Sequence, residues 1–187
     1  MRLIWLIFIT LATAMLLGGW FYQRSAALPA QSARPVPMSV VAVVNRQSAF
    51  PPSATLADSI VRLALAQVGT PYCYAGSSPA TGFDCSGFVR YVFGRFALPM
   101  PHSTALLIGV GRPVARARAQ PGDIVVFTGT APGSTEPGHA GIVISALGET
   151  PLRFVHSSSA KREPGVKISQ VEGSGYEQRF MQVRRVL

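Results

Sequence analysis

The chain is poor in the residues that cross-linking and metal chemistry usually draw on. It has two cysteines, three histidines and eight acidic residues in 187. Two cysteines are too few for a disulfide-stapled scaffold, and the composition fits neither a coiled coil nor a collagenous rod. The cysteines stand twelve positions apart, at 73 and 85, and the histidines at 102, 139 and 156. No CxxC or HxxxH pair results, so no metal and no cofactor is expected. Charge is also scarce: 13% of residues are charged, with a basic excess of +9. No Lys/Arg cluster alternates with aromatics, which argues against a nucleic-acid groove. The excess is read by default as a solvated basic face, with attraction to anionic polymers or lipid headgroups outside the membrane as the functional alternative. Nothing repeats internally.

What is abundant is apolar and concentrated at one end. From Leu3 to Tyr22 only the Tyr22 phenol is ionisable, and Arg2 and Arg24 bracket the run. Twenty residues at about 1.5 Å rise span roughly 30 Å, the thickness of a bilayer's hydrocarbon core. The run exceeds a usual secretory apolar segment, and Trp5, Trp20, Phe21 and Tyr22 sit where interfacial aromatics belong. Residues 1–23 are therefore expected to be a transmembrane anchor, with a cleaved signal peptide as the alternative that Ser25-Ala26-Ala27 leaves open. No cysteine follows the run, so a lipoprotein anchor is excluded. Residues 24–54 contain five prolines, three arginines and no acidic residue, which suits an extended spacer. Val40–Val44 within it reads as a short strand or an apolar piece of linker.

Residues 55–187 read as one domain. Apolar positions at helical spacing predict a helix over Thr55–Val68, capped by Ser53 or Thr55 and ended by Gly69. Pro71–Tyr74 is extended, Gly76–Gly82 is a loop, and a second helix starts near Asp84-Cys85. Its buried stripe is Phe88, Val89, Val92, Phe93 and Phe96. A third, short helix is expected over Ser103–Gly109. Beyond Pro121-Gly122 the period becomes that of strands, at Asp123–Phe127, His139–Ser145, Leu152–His156, Val166–Ser169 and Phe180–Val186. Helices first and strands afterwards predict an α+β domain, with helices packed on an antiparallel sheet.

Cys85 follows a glycine-rich loop and opens an amphipathic helix. First-turn amides and the helix dipole stabilise a thiolate there, so its pKa is expected to fall from about 8.5 toward roughly 3.5–7.5. The competing reading is a buried structural cysteine. His139 stands between small residues in Gly138-His139-Ala140-Gly141, at the start of a strand, and His156 ends the next strand. Adjacent antiparallel strands bring two such imidazoles within hydrogen-bond reach. The order thiol, imidazole, polar residue is then that of an activated nucleophile. Asp84 is read as the cap of the helix, because a carboxylate aimed at the thiol would raise its pKa.

Five blocks in order carry a resemblance. They are Gly69-Thr70-Pro71-Tyr72 through Asp84-Cys85-Ser86-Gly87-Phe88-Val89, then Leu98-Pro99, Pro121–Phe127, Gly138–Ile142 and Phe154-Val155-His156. Together they resemble the NlpC/P60 family of cell-wall cysteine peptidases, from about residue 56 to Arg184-Arg185-Val186. The resemblance implies a papain-like fold with Cys85 as nucleophile, His139 as base, His156 as the third polar residue and Tyr72 as the active-site tyrosine. It implies hydrolysis of amide bonds in peptidoglycan stem peptides, often next to D-glutamate or diaminopimelate, by a domain outside the cytoplasm in the bacterial envelope. The oxyanion is expected at the Cys85 backbone N–H and the Tyr72 hydroxyl, with Ser86 a substrate-binding candidate beside them. Alternatives are a wall-binding module without catalysis and an amidase or acyltransferase of the same thiol fold. Two departures stand out: Ala75-Gly76 replaces the family's Gly-Gly, and His102 stands where many relatives carry Arg. Thr128–Pro137 is read as a lid or loop, and Ala146–Pro151 as a longer hairpin connection than many relatives have. Cys73 is expected to turn away from Tyr72's face of the extended segment and not to pair with Cys85.

Overall fold

A computed structural model describes residues 55–187. The apolar run Leu3–Tyr22, the spacer 24–54 and the Val40–Val44 segment lie outside the described residues. Among the described residues no helix is long and apolar enough to cross a membrane.

Helix α1 (Leu56–Leu65) starts where the sequence predicts, at Thr55. The Thr55 hydroxyl accepts the Asp58 N–H (3.1 Å), and the Asp58 carboxylate accepts the Thr55 N–H (2.9 Å). This reciprocal cap satisfies two donors that the first turn leaves free. The expected helix is longer than the observed one, which closes in turns before Gly69, whose φ is +91°. Helix α2 (Cys85–Gly94) buries Phe88, Val89, Val92 and Phe93 completely, while Phe96 is half-buried. Each such side chain contributes roughly 1.5–3 kcal/mol by leaving water. Helix α3 is the short segment Thr104–Leu107, anchored by buried Leu107.

The strands are β1 (Ser77–Ser78), β2 (Gly82–Phe83), β3 (Arg112–Val114), β4 (Ile124–Thr128), β5 (Pro137–Val143), β6 (Arg153–Ser158), β7 (Gly165–Gln170) and β8 (Phe180–Arg185). The main sheet is antiparallel throughout, in the order β3-β8-β4-β5-β6-β7. The five longer strands are those expected from alternation, shifted by one or two residues. The tiny β1–β2 hairpin and edge strand β3 are not legible in the pattern. Two-residue strands carry no periodicity, and Pro113 in β3 reads as a breaker although an edge position tolerates it.

Strand alternation divides the core in two. Ile124, Val126, Ala140, Ile142, Val155 and Val166 meet Ile60, Phe88, Val89, Val92 and Phe93 of the helices. Val125, Phe127, Val143, Phe154 and Val183 form a second cluster with Tyr176 and Phe180. The α+β architecture, helices on an antiparallel sheet, is thus the one the sequence predicts.

Candidate active site

Asp84 organises the start of α2. Its carboxylate accepts the Gly87 N–H at 2.6 Å and the Ser86 hydroxyl at 3.1 Å, and His102 Nε2 lies 3.0 and 3.1 Å from its two oxygens. The carboxylate is held as the helix cap, turned to the amides. Gly87 has to be glycine, because a Cβ there would overlap the Gly76 carbonyl and crowd His102 Nε2.

The Cys85 sulfur is half-buried beside the backbone N–H groups of Ala140 and Ser86, with Thr104 Oγ1 at 3.6 Å. The expectation of a lowered pKa is overturned. Burial pushes the thiol up and nearby Asp84 adds to the rise, whereas the Thr104 hydroxyl and the two amides pull the other way without prevailing. The helix terminus favours the thiolate, and the loss of solvent at the sulfur outweighs it. Cys85 rests as a protonated thiol at neutral pH.

His139 and His156 meet across the sheet. His139 Nε2 lies 2.8 Å from His156 Nδ1, and His156 Nε2 lies 2.9 Å from Ser169 Oγ. The side chains sit on three successive strands, β5, β6 and β7, and form one diagonal. Gly141 makes room for it, since a Cβ there would lie 2.6 Å from Phe154 Cδ2 and 3.1 Å from His156 Cβ. Burial, followed by the positive charges of Arg179 and Lys167, lowers the His139 pKa to about 3. Burial and the neighbouring His139 likewise hold His156 far below the ordinary imidazole value. Both rings are neutral at pH 7.

Neutrality leaves two proton arrangements along the line. When His139 donates from Nε2, His156 accepts at Nδ1 and donates from Nε2 to Ser169, and His139 Nδ1 carries a free lone pair. In this arrangement His139 Nδ1 is free to accept a proton. The reverse arrangement puts hydrogen on Nδ1 and has Ser169 donating.

The NlpC/P60 family model matches residues 69–185, more than half of the sequence. The chain belongs to the NlpC/P60 family.

Among relatives, it is 34% identical over 155 residues to the probable endopeptidase NlpC of Escherichia coli K12, covering 79% of this chain and 93% of that protein. It is 35% identical over 133 residues to the gamma-DL-glutamyl hydrolase of Bacillus subtilis, covering 71% of this chain and 30% of the other. A probable endopeptidase of Mycobacterium tuberculosis is 43% identical over 86 residues, which are 46% of this chain and 20% of that protein. The match thus spans only a fifth of the mycobacterial relative's length. Among solved structures, an NlpC/P60 family protein from Bacillus cereus superposes with a TM-score of 0.61 at 25% identity, over 71% of this chain and 40% of that one. The NlpC/p60 domain of the peptidoglycan hydrolase SagA gives 0.54 at 27% identity, over 71% of this chain and all of that domain.

In this NlpC/P60 domain the five residues singled out from the sequence are distributed unequally. Cys85 meets β5 at the residue after His139, where the Ala140 N–H reaches the sulfur. His156 stands behind His139. Tyr72 forms an isolated bridge to Phe83, and burial first, then the charges of Cys85 and Asp84, push its phenol pKa up. The Ser86 side chain is buried and spends its hydroxyl on Asp84, so that its backbone N–H, not its hydroxyl, meets the sulfur. Cys73 is a free, half-buried thiol 3.7 Å from the Tyr74 carbonyl oxygen.

Sequence reasoning missed Ser169, Thr104 and Tyr176. Tyr176 stacks on His139 with ring centres 5.7 Å apart and meets His156 edge-on at 5.3 Å. It lies in the turn segment before β8, where no periodicity marks it.

Proposed function

We propose that the chain is a cysteine peptidase that hydrolyses amide bonds in the peptides of peptidoglycan. The observation that carries this reading is the line Ser169–His156–His139, whose last member precedes Ala140, the residue whose N–H meets the Cys85 sulfur at a helix N-terminus. Relatives named as endopeptidases and as a gamma-DL-glutamyl hydrolase support the substrate class.

The resting protonation states define the order of events. Cys85 holds its proton and His139 holds a free lone pair on Nδ1. As the sulfur attacks the scissile carbonyl carbon, Nδ1 takes the thiol proton and the imidazolium forms. His156 accepts the Nε2 hydrogen throughout and so fixes the productive tautomer. The negative charge on the tetrahedral oxygen is met by the Cys85 backbone N–H and the Tyr72 hydroxyl; one such donor is typically worth about 2.7–4 kcal/mol. The imidazolium returns its proton to the leaving amine, giving a thioester. Water, deprotonated by His139, then releases the acid and restores the thiol. A ring whose charged form is disfavoured by burial is a strong proton donor at this moment, and the leaving amine benefits.

The proposal extends to location. Residues 1–23 anchor or export the chain and residues 24–54 tether the domain outside the cytoplasm. If fully extended, thirty-one residues at about 3.3 Å each would reach up to roughly 100 Å, enough to touch the wall from the membrane. Cleavage of purified muropeptides by the full chain, read by mass spectrometry, tests the activity. Wild type should release amine and acid fragments, and Cys85→Ala and His139→Ala should lose at least about a hundredfold in rate. Undiminished hydrolysis by a folded Cys85→Ala protein would refute the assignment.

A further inference from the structure

The hydrogen-bonded line that starts at His139 does not end inside the protein. His156 is wholly buried and both its nitrogens are engaged, Nδ1 by His139 at 2.8 Å and Nε2 by Ser169 at 2.9 Å. Ser169 is half-buried and lines a cavity of about 440 Å³ with Arg153, Ile168, Gln170, Ser174 and Tyr176. His139 lines a different cavity, and Ser174 and Tyr176 line both. One chain of hydrogen bonds therefore connects the first cavity, through a buried ring, to a hydroxyl that opens on the second.

The end group decides what such a chain can do. A serine hydroxyl both donates and accepts, and a neutral imidazole carries its hydrogen on either nitrogen. A carboxylate in the place of Ser169 would only accept and would hold the line in one direction. With serine, either direction leaves every hydrogen bond of the line made.

We propose that Ser169 is a positioning residue that lets the His139–His156 line reverse as Cys85 loses its proton, so that a neutral His139 donates a hydrogen bond to the thiolate. The inference rests on the reading of Cys85 and His139 as nucleophile and base, and deepens it. The proton count closes. The thiol proton passes to His139 Nδ1, the His139 Nε2 hydrogen to His156 Nδ1, and the His156 Nε2 hydrogen to Ser169 Oγ. The former Ser169 hydroxyl proton leaves to solvent through the second cavity. One proton has been released, both rings are neutral, and Ser169 now donates to His156.

The surroundings favour this outcome over a lasting imidazolium. Burial and the cations Arg179 and Lys167 oppose positive charge on either ring. At the sulfur, burial and the Asp84 carboxylate oppose the thiolate, and the phenols of Tyr72 and Tyr176 are themselves pushed up by burial, so neither supplies a charge. A neutral N–H donor on the thiolate relieves the sulfur without charging the ring. The imidazolium of turnover is consumed by the leaving amine. The reversed line belongs to the free enzyme, which has no amine to take the proton.

Nitrogen-15 NMR of the full chain reads the tautomer of each ring, because protonated and bare imidazole nitrogens resonate far apart. Across the titration of the Cys85 thiol, followed in parallel by its alkylation with iodoacetamide, both wild-type rings should change together from Nε2–H to Nδ1–H. Cys85→Ala should hold one arrangement over the same pH range, and Ser169→Thr, which keeps the hydroxyl, should follow wild type. Ser169→Val puts methyl groups in place of the hydroxyl. It should abolish the joint change and slow alkylation below the thiol midpoint roughly ten- to a hundredfold, the loss of a hydrogen bond to a charged group. Rings that keep one tautomer throughout the wild-type thiol titration, or a joint change that persists in Ser169→Val, overturn the proposal. If Ser169→Val fails to fold, the wild-type and Cys85→Ala spectra still decide whether the line reverses with the thiol. None of these measurements uses a peptide, so a chain that reverses its line yet cleaves no muropeptide supports this proposal and defeats only the hydrolase reading.

Discussion

His139 Nε2 and His156 Nδ1 stand 2.8 Å apart with their ring planes at 87°. The contact is diagonal, between neighbouring strands whose register pairs Ile142 with Val155 and Val143 with Phe154. Diagonal neighbours on one face lie close enough for long or ringed side chains to touch. An imidazole in the third position makes the line neutral, and a neutral partner stabilises imidazolium less than a carboxylate does. Orientation, not charge, is what His156 supplies to His139, and Ser169 orients His156 in the same way.

Removing these groups should produce graded losses. His156→Ala frees the His139 ring to turn and should retain only a small residual activity. Ser169→Ala removes one neutral hydrogen bond of about 1 kcal/mol, so kcat should fall roughly fivefold with KM little changed. Steady-state kinetics on a muropeptide substrate separate the two parameters. A Ser169→Ala enzyme that changes KM alone contradicts the positioning role.

Acid should affect activity and stability over different ranges. With its pKa lowered to about 3, His139 stays an acceptor well below pH 6.5, so the acid limb of kcat/KM should lie far to the acid side of an ordinary histidine. Stability follows the opposite reference. Unfolded imidazoles titrate near 6.5, so below that pH the unfolded chain binds protons that folded His139 and His156 refuse. Their contribution to stability is complete above about pH 6.5 and is lost progressively as pH falls toward the folded value. Denaturant midpoints measured from pH 7.5 to 4 should decline; a flat profile contradicts the burial of two neutral rings.

Gly141→Ala should be costly at both levels. The added methyl would meet Phe154 Cδ2 at 2.6 Å, the Val155 carbonyl oxygen at 2.9 Å and His156 Cβ at 3.1 Å. Overpacking of this kind costs about 1–3 kcal/mol and here displaces the orienting ring. Chemical denaturation and turnover should fall together, and a fully active, fully stable variant would show that β6 yields without moving His156.

Ala75→Gly should stabilise. Ala75 occupies φ +55°, a left-handed conformation that glycine adopts without a Cβ penalty. Relief of that penalty exceeds the extra unfolded-state entropy of glycine, for a net gain of roughly 0.5–1 kcal/mol. Neighbouring Gly76 admits no such exchange, because its Cβ would strike the Gly82 carbonyl and lie 2.9 Å from Cys73 Cβ. Thermal melts of Ala75→Gly and Gly76→Ala should move in opposite directions.

Much of this protein is determined by sequence alone, because the features concerned are local and periodic. The stripe Phe88, Val89, Val92 and Phe93 determines which face of α2 is buried, and alternation determines five of the strands. Asp84 before Cys85 sets the helix cap and hence the location of the thiol. The motif blocks were sufficient to place Cys85, His139, His156 and Tyr72 in one family pattern. Tertiary structure decided everything that depends on which strands are neighbours and on how much water is removed. Only the β5-β6-β7 order brings Ser169 to His156, thirteen positions away, and only the chain's return before β8 lays Tyr176 against His139, with Arg179 over the Tyr176 ring. The protonation of the thiol belongs to this second class. A helix terminus is visible in a sequence and favours thiolate, but the desolvation that outweighs it at Cys85 exists only once the chain has folded around the sulfur, and the hydrogen bonds of distant Ala140 and Thr104 oppose it without prevailing.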